Sequence, residues 1–240
     1  DIQATTLRMQ TPLMLAAASD RPNSMEALKF LVEMLSQLEA RDQHGWTALL
    51  HACRNGRTDS VEFLLENNAS MKAKANDGLN SVMLATIDGA EELVMTLLNR
   101  KMQVDKKDEH GWPVLFYACH GNHIGIASLL IKKSANVKDK ANDGTTSLMV
   151  VAETGHIKMA KILLRKSANI NALNDSGNSA LMVALKARHA HFAHFLLDEL
   201  ADVACKNADN EDAVDIAVSV GLYGIQHAIV RKARALAEEQ

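Results

Sequence analysis

The chain has 240 residues, of which 48% are hydrophobic and only 4% aromatic, and its formal net charge is −3. Its core must therefore be built from Leu, Ala, Val, Ile and Met, and the slight acidic excess argues against a dedicated nucleic-acid binder, which carries a basic surplus. No apolar run approaches the ~18 residues that span a bilayer. The cysteines are Cys53, Cys119 and Cys205. An odd number, two of them inside helical patterns, reads as reduced cytosolic or nuclear thiols rather than a disulfide framework. The chain shows neither a leader nor an initiator Met and is expected to be part of a longer, multidomain protein.

The elements recur. "D-x-x-G" turns place glycines at Gly45, Gly78, Gly111, Gly144 and Gly177, each 33 residues after the last. The next step lands on Asn210, a residue tolerant of the left-handed conformation. Backwards, the step reaches Pro12, which does not fit. Moving three further back, to Met9, restores the register, with the extra residues in the turn-rich "SDRPNS" (19–24). After each turn comes a short apolar helix with a central small residue: Ala16, Ala52, Ala85, Ala118, Val151, Ala184 and Ala217. A second polar turn and a longer amphipathic helix follow, such as "VEFLL" (61–65) and "AKILL" (160–164). Thr11-Pro12 is a good helix start, with Thr as cap and Pro in the first position.

A 33-residue turn–helix–helix period with "TPLMLAA" (11–17) resembles the ankyrin-repeat family, whose own motif is "TPLHLAA". The resemblance covers about residues 7–237. It implies an all-α solenoid of seven stacked repeats with hairpin-like tips, curved around a concave groove. The units are 7–41, 42–74, 75–107, 108–140, 141–173, 174–206 and 207–240, the first irregular and the last a cap. Where the family has His, this chain has Met14, Leu50, Met83, Phe116, Met149, Met182 and Asp215. The family's polar network at that point is expected to be replaced by thioether packing. Where the family often closes its second helix with Gly, the chain has Leu35, Asn68, Lys101, Ser134, Ser167 and Leu200. A left-handed conformation at these residues is expected at a cost of about 1 kcal/mol each.

A superperiod of 66 overlies the repeat: "HGW" at 44–46 and 110–112, "KANDG" at 74–78 and 140–144. The only two tryptophans, Trp46 and Trp112, therefore sit on alternate tips, with Leu79 on the tip between. At about 10 Å per unit, the indoles are expected roughly 20 Å apart.

The histidines raise a metal reading. His191 and His194 could share a helix face, but no Cys or carboxylate completes a zinc set. His123, His156 and His189 occupy the second turn, where the family has structural Gly-His. Cys53 and Cys119 read as buried and inert. No nucleophile elbow or phosphate loop is present, so the chain is expected not to be an enzyme and to need no cofactor. The resemblance also implies that Asn171 stands where some ankyrin asparagines are hydroxylated, with Asn169 replacing the usual Asp. A basic strip, Lys132, Lys133, Lys158, Lys161, Arg165 and Lys166, reads as a solvated face.

The family binds partners through its tips and the exposed ends of its first helices. The residues of this chain at those positions are His44, Trp46, Arg54, Asn55, Asp77, Leu79, Ile87 and Asp88. Further along they are His110, Trp112, His120, Asp143, Thr145 and Glu153. Exposed Trp is uncommon, and Trp is the residue most enriched at binding hot spots. The expected role is a protein-interaction scaffold that takes another protein or a peptide segment across units two to five. The alternative is a small-ligand or nucleotide sensor stacking a base on Trp46 and Trp112. That alternative needs phosphate-binding cations beside the rings, and only Arg54 is placed to help.

Overall fold

The computed structural model describes residues 4–34 and 37–238, with side chains as far as residue 234. Among these residues fourteen helices follow one another in short–long pairs, and no strand is present. Two compact units divide the chain, Asp1–Ala135 and Asn136–Gln240. No helix among the described residues is long and apolar enough to cross a membrane.

The first unit holds four pairs: α1 Pro12–Ala18 with α2 Ser24–Glu33, α3 Ala48–Arg54 with α4 Thr58–Glu66, α5 Ser81–Asp88 with α6 Glu91–Asn99, and α7 Val114–His120 with α8 Ile124–Lys132. The short helices pack in sequence, α1 on α3, α3 on α5 and α5 on α7. The second unit holds α9 Ser147–Thr154, α10 Ile157–Arg165, α11 Ala180–Lys186, α12 Ala190–Asp198, α13 Ala213–Ser219 and α14 Tyr223–Glu238, arranged the same way.

The tips share one backbone turn. The glycine amide reaches back three residues, as in Gly45 N–H to Asp42 O at 2.9 Å and Gly177 N–H to Asn174 O at 2.8 Å. This needs a left-handed residue, and Gly45 to Gly177 all supply it. Met9 and Asn210 supply it at the ends, with φ of 60° and 62°. The slipped register of the first unit is therefore the one the backbone uses. Successive tips are also stitched together: Asn76 N–H donates to His44 O at 2.9 Å, and Glu109 N–H to Asp77 O at 3.1 Å.

Each short helix except α7 is capped by the polar residue just before it. Thr11, Thr47, Asn80, Thr146 and Ser179 accept from the amide three residues on. Pro113 cannot, and it starts α7 by geometry instead. The central small residue has a second task besides close packing. Its carbonyl accepts the amide that opens the second helix, as in Arg57 N–H to Ala52 O at 2.9 Å and His189 N–H to Ala184 O at 2.9 Å.

The residues in place of the family's His are buried: Met14, Leu50, Met83, Phe116, Met149 and Met182. The thioether packing holds, and the Met14 sulfur even accepts from Thr11 N–H at 3.4 Å. Asp215 is the exception. It is exposed and forms a reciprocal cap with Asp212. The second helices end through Asn68, Lys101, Ser134, Ser167 and Leu200, with φ between 64° and 72°. Leu35 lies outside the described residues. Side chains there cost about 1 kcal/mol each relative to Gly.

His123 and His189 have structural roles, at the N-caps of α8 and α12. His189 Nε2 lies 2.9 Å from Glu153 O. A Cβ on Gly155 would fall 2.9 Å from the same ring, so this left-handed glycine admits the histidine.

Candidate partner-binding surface

The two "HGW" tips are wired by a buried carboxylate. Asp42 Oδ1 accepts from His44 N–H and Trp46 N–H, both at 2.9 Å. Its Oδ2 faces His51 Nε2 at 2.9 Å, nine residues on along the chain and inside α3. Asp108 repeats the arrangement: Oδ1 accepts from Trp112 N–H at 2.8 Å, and Oδ2 accepts from the Tyr117 hydroxyl. Both carboxylates are buried. One side chain thus fixes the turn and ties it to the helix behind it.

The rings held by these carboxylates carry the indoles. Trp46 lies against His51 with ring centroids 5.2 Å apart. Trp112 meets Phe116 at 5.6 Å, Tyr117 at 5.5 Å and His120 at 6.4 Å. Both indoles are half-buried on their own short helix and keep part of their surface open.

The intervening tips have alanine, Ala75 and Ala141, where Asp42 and Asp108 stand. Their turns are held from the other side by an exposed aspartate just before the glycine. Asp77 Oδ1 accepts from Leu79 N–H at 3.1 Å. Asp143 accepts from Thr145 N–H and from its hydroxyl, both at 2.9 Å. In the last two tips an amide replaces the buried carboxylate. Asn178 N–H donates to Asn174 Oδ1, and Glu211 N–H to Asn207 Oδ1, each at 2.9 Å. The 66-residue superperiod is thus an alternation of anchor as well as of sequence.

In the first unit, His44, Asn55, Asp77, Asp88, His110 and His120 are exposed, and Arg54, Leu79 and Ile87 are half-buried. Arg54 Nη1 lies 3.9 Å from Asp88 Oδ1, joining the ends of α3 and α5. Asn55 is turned to its own helix, with its amide donating to His51 O at 2.8 Å. His44 is turned to its neighbour, its Nε2 lying 2.8 Å from Gln43 Nε2. In the second unit, Asp143 and Glu153 are exposed and Thr145 is half-buried.

Sequence reasoning singles out none of Asp42, His51, Asp108 and Tyr117. The available signal is an Asp nine residues before a ring donor, present only in the two tryptophan units.

The thiols behave as buried groups. Desolvation pushes Cys53 up to about 12, and it raises Cys119 as well. Burial also raises the Tyr117 phenol, and the Asp108 carboxylate adds to the effect.

Burial lowers the His51 pKa, with the hydrogen bond to Asp42 opposing and nearby His44 adding a small further lowering. Above about pH 6.5 the ring is neutral whether folded or unfolded. As the pH falls below that, the unfolded ring takes up a proton that the folded ring resists. Stability conferred by the neutral ring is therefore lost as the pH falls through the folded value. Wild-type protein is expected to lose more unfolding free energy between about pH 7.5 and pH 5.5 than His51→Gln. Parallel urea titrations at both pH values test this, and equal losses would refute it.

The family's sequence model, described as ankyrin repeats (3 copies), matches residues 1–75, 69–141 and 132–207. The chain belongs to the ankyrin-repeat family. Among solved structures it is similar to the ankyrin repeat domain of Bcl-3, described as a unique member of the IkappaB protein family. The TM-score is 0.70 at 23% identity, covering 86% of this chain and 93% of that one. An identity of that size speaks to fold alone. Matches extend to 576 chains of known structure, so the ankyrin architecture by itself selects no partner. No curated protein matches the sequence.

Proposed function

We propose that this ankyrin-repeat protein is a non-catalytic interaction scaffold that binds an extended or helical segment of another protein. Ankyrin repeats generally mediate protein–protein interaction, and function resides in the particular surface they carry. In the first unit that surface is the row of tips with Trp46, Leu79 and Trp112, flanked by Arg54, Ile87 and His120. The observation that carries the reading is the support of the two indoles. Each is held on an aromatic ring that a buried carboxylate fixes in turn. An anchor already ordered before binding spares the entropy of immobilising it on contact.

The nucleotide alternative is weaker. Its one suitably placed cation, Arg54, is already within ion-pair distance of Asp88. The proposal extends the same role to Asp143, Thr145 and Glu153 of the second unit, whose tip offers a hydrogen-bonding Thr145 in place of an indole.

The test uses segments selected by peptide display against the intact chain. Leu79→Asp places a charge between the indoles on a half-buried site that caps no helix. Affinity for the selected segments is expected to fall about 30-fold, roughly 2 kcal/mol. The unfolding midpoint is expected to stay near wild type. Unchanged affinity would remove the central tip from the binding surface.

A further inference from the structure

A cavity of about 650 Å³ opens in the first unit between the segment after α4 and the segment after α6. Five cations line it: Lys72, Lys74, Arg100, Lys101 and Lys106. The described residues offer them no carboxylate within ion-pair distance, since the ion pairs there involve other residues. We propose that this cavity is a binding site for a compact, multiply phosphorylated anion, separate from the tip surface.

The cavity has a local cause. After each second helix the chain makes a tight turn, seen as Ala40 N–H to Gln37 O, Ala73 N–H to Ser70 O, Asp139 N–H to Asn136 O and Ala172 N–H to Asn169 O. A short polar side chain often reinforces it: Ser70, Asn136, Asn169 and Asp202 each accept from the amide two residues on. The residue at this step after α6 is Gln103; Gln37 holds the same step after α2 and still makes the backbone bond to Ala40, so what sets the Gln103 segment apart is the missing bonds and not the residue type. Among the described residues neither bond forms there. The segment stays open, and Arg100, Lys101 and Lys106 stand around the gap it leaves.

The same place two units later is an internal comparison. A smaller cavity of about 430 Å³ is lined by Val137, Lys138, Lys140 and Thr146, the counterparts of Met71, Lys72, Lys74 and Asn80. There Asn169 closes the turn, and the counterparts of Lys101 and Lys106 are the uncharged Ser167 and Ala172. The lysine heads also differ. Arg41 and Lys140 each donate to the carbonyl 33 residues on, at 2.8 Å and 3.1 Å. Lys74, at the same step of its own unit, makes no such bond among the described residues and lines the cavity instead. Lys72, Lys74 and Arg100 thus have cationic counterparts two repeats later in Lys138, Lys140 and Lys166, of which only Lys138 and Lys140 line the smaller cavity, whereas Lys101 and Lys106 add two charges that the repeat does not supply there.

The chemistry selects the ligand class. The volume matches small-molecule sites, and clustered Lys and Arg match phosphate oxygens. Among the described residues no aromatic ring lines the cavity, so nothing there stacks a nucleobase. A phosphate-dense ring fits, either free or as a lipid headgroup.

The probe is inositol hexakisphosphate, titrated calorimetrically into the full chain at about 150 mM salt. Binding in the micromolar range or tighter is expected. Arg100→Gln/Lys106→Gln is expected to weaken it about 100-fold, near tenfold for each charge-assisted hydrogen bond removed. Lys132→Gln/Lys133→Gln, on the exposed end of α8, is expected to leave it unchanged. Gln103→Asn keeps every cation and supplies the side-chain acceptor with which Asn136 and Asn169 hold this turn closed, and at least a fivefold weakening is expected. Vesicles carrying phosphatidylinositol bisphosphate separate the sources. Capture that disappears in Arg100→Gln/Lys106→Gln assigns the lipid headgroup, and hexakisphosphate binding without capture assigns the free anion. The proposal is overturned by no binding below millimolar, by equal weakening in both double variants, by full affinity in Gln103→Asn, or by tighter binding of a poly-glutamate peptide.

Discussion

Asp108→Ala is expected to lower the unfolding free energy of the first unit by about 3 kcal/mol, whereas Asp77→Ala is expected to cost less than about 1 kcal/mol. Both residues are tip aspartates that accept a backbone amide. Asp108 is buried, and its two oxygens serve Trp112 N–H and the Tyr117 hydroxyl. Removing it leaves both donors without an acceptor. A hydrogen bond to a charged group contributes about 1.5–3 kcal/mol, and an orphaned buried donor costs about 1–3 kcal/mol. Half-buried Tyr117 recovers part of its share from water, which brings the total to about 3 kcal/mol. Asp77 is exposed, so water replaces it at Leu79 N–H. Asp108→Asn is expected to fall between, near 1 kcal/mol, because Asn174 and Asn207 already fix the same turn. Native-state hydrogen exchange at the tip amides measures each cost locally and does not require the whole array to unfold in one step. Equal losses for Asp77→Ala and Asp108→Ala would show that burial does not set the strength of the tips.

The repeat is legible because its turn imposes a rule on one residue. A left-handed conformation every 33 residues demands Gly or a tolerant substitute, so Gly45 to Gly177 display the period openly. Met9 is legible only through the register, since Met has no preference for that conformation. The second-helix ends are legible by resemblance, because position and not residue type fixes the left-handed cap at Lys101 or Leu200. The support beneath the indoles is hidden for a different reason. A nine-residue step from Asp42 to His51 crosses from a turn into a helix and matches neither helical nor strand periodicity. His51 and Tyr117 also look unrelated until a carboxylate faces both. The alternation of Asp42 with Ala75, and of Asp108 with Ala141, is visible as a 66-residue likeness. Its meaning needs the hydrogen bonds, which show the anchor moving from the buried to the exposed side of the turn.

Trp46→Ala and Trp112→Ala are each expected to weaken partner binding by about 2 kcal/mol, roughly 30-fold. The rings rest on His51, Phe116 and Tyr117, so they contribute to folding as well as to binding. Truncating a half-buried indole forfeits part of the roughly 3–5 kcal/mol that a fully buried one costs. A stability loss of about 1–2 kcal/mol per variant is therefore expected beside the binding loss. Two readouts separate the effects. Binding is measured well below the unfolding transition, where a loss of that size leaves nearly all molecules folded. Trp112→Phe retains a ring on Phe116 and Tyr117 while shortening the exposed part, so it is expected to restore most of the stability and little of the affinity. The indoles stand on alternate tips and rest on different rings, so their stability costs are expected to add within about 0.5 kcal/mol. Their binding losses are expected to add only if one partner segment lies across both tips. A double variant that binds like wild type would leave the two indoles as packing for their own helices and would move the binding surface elsewhere on the array.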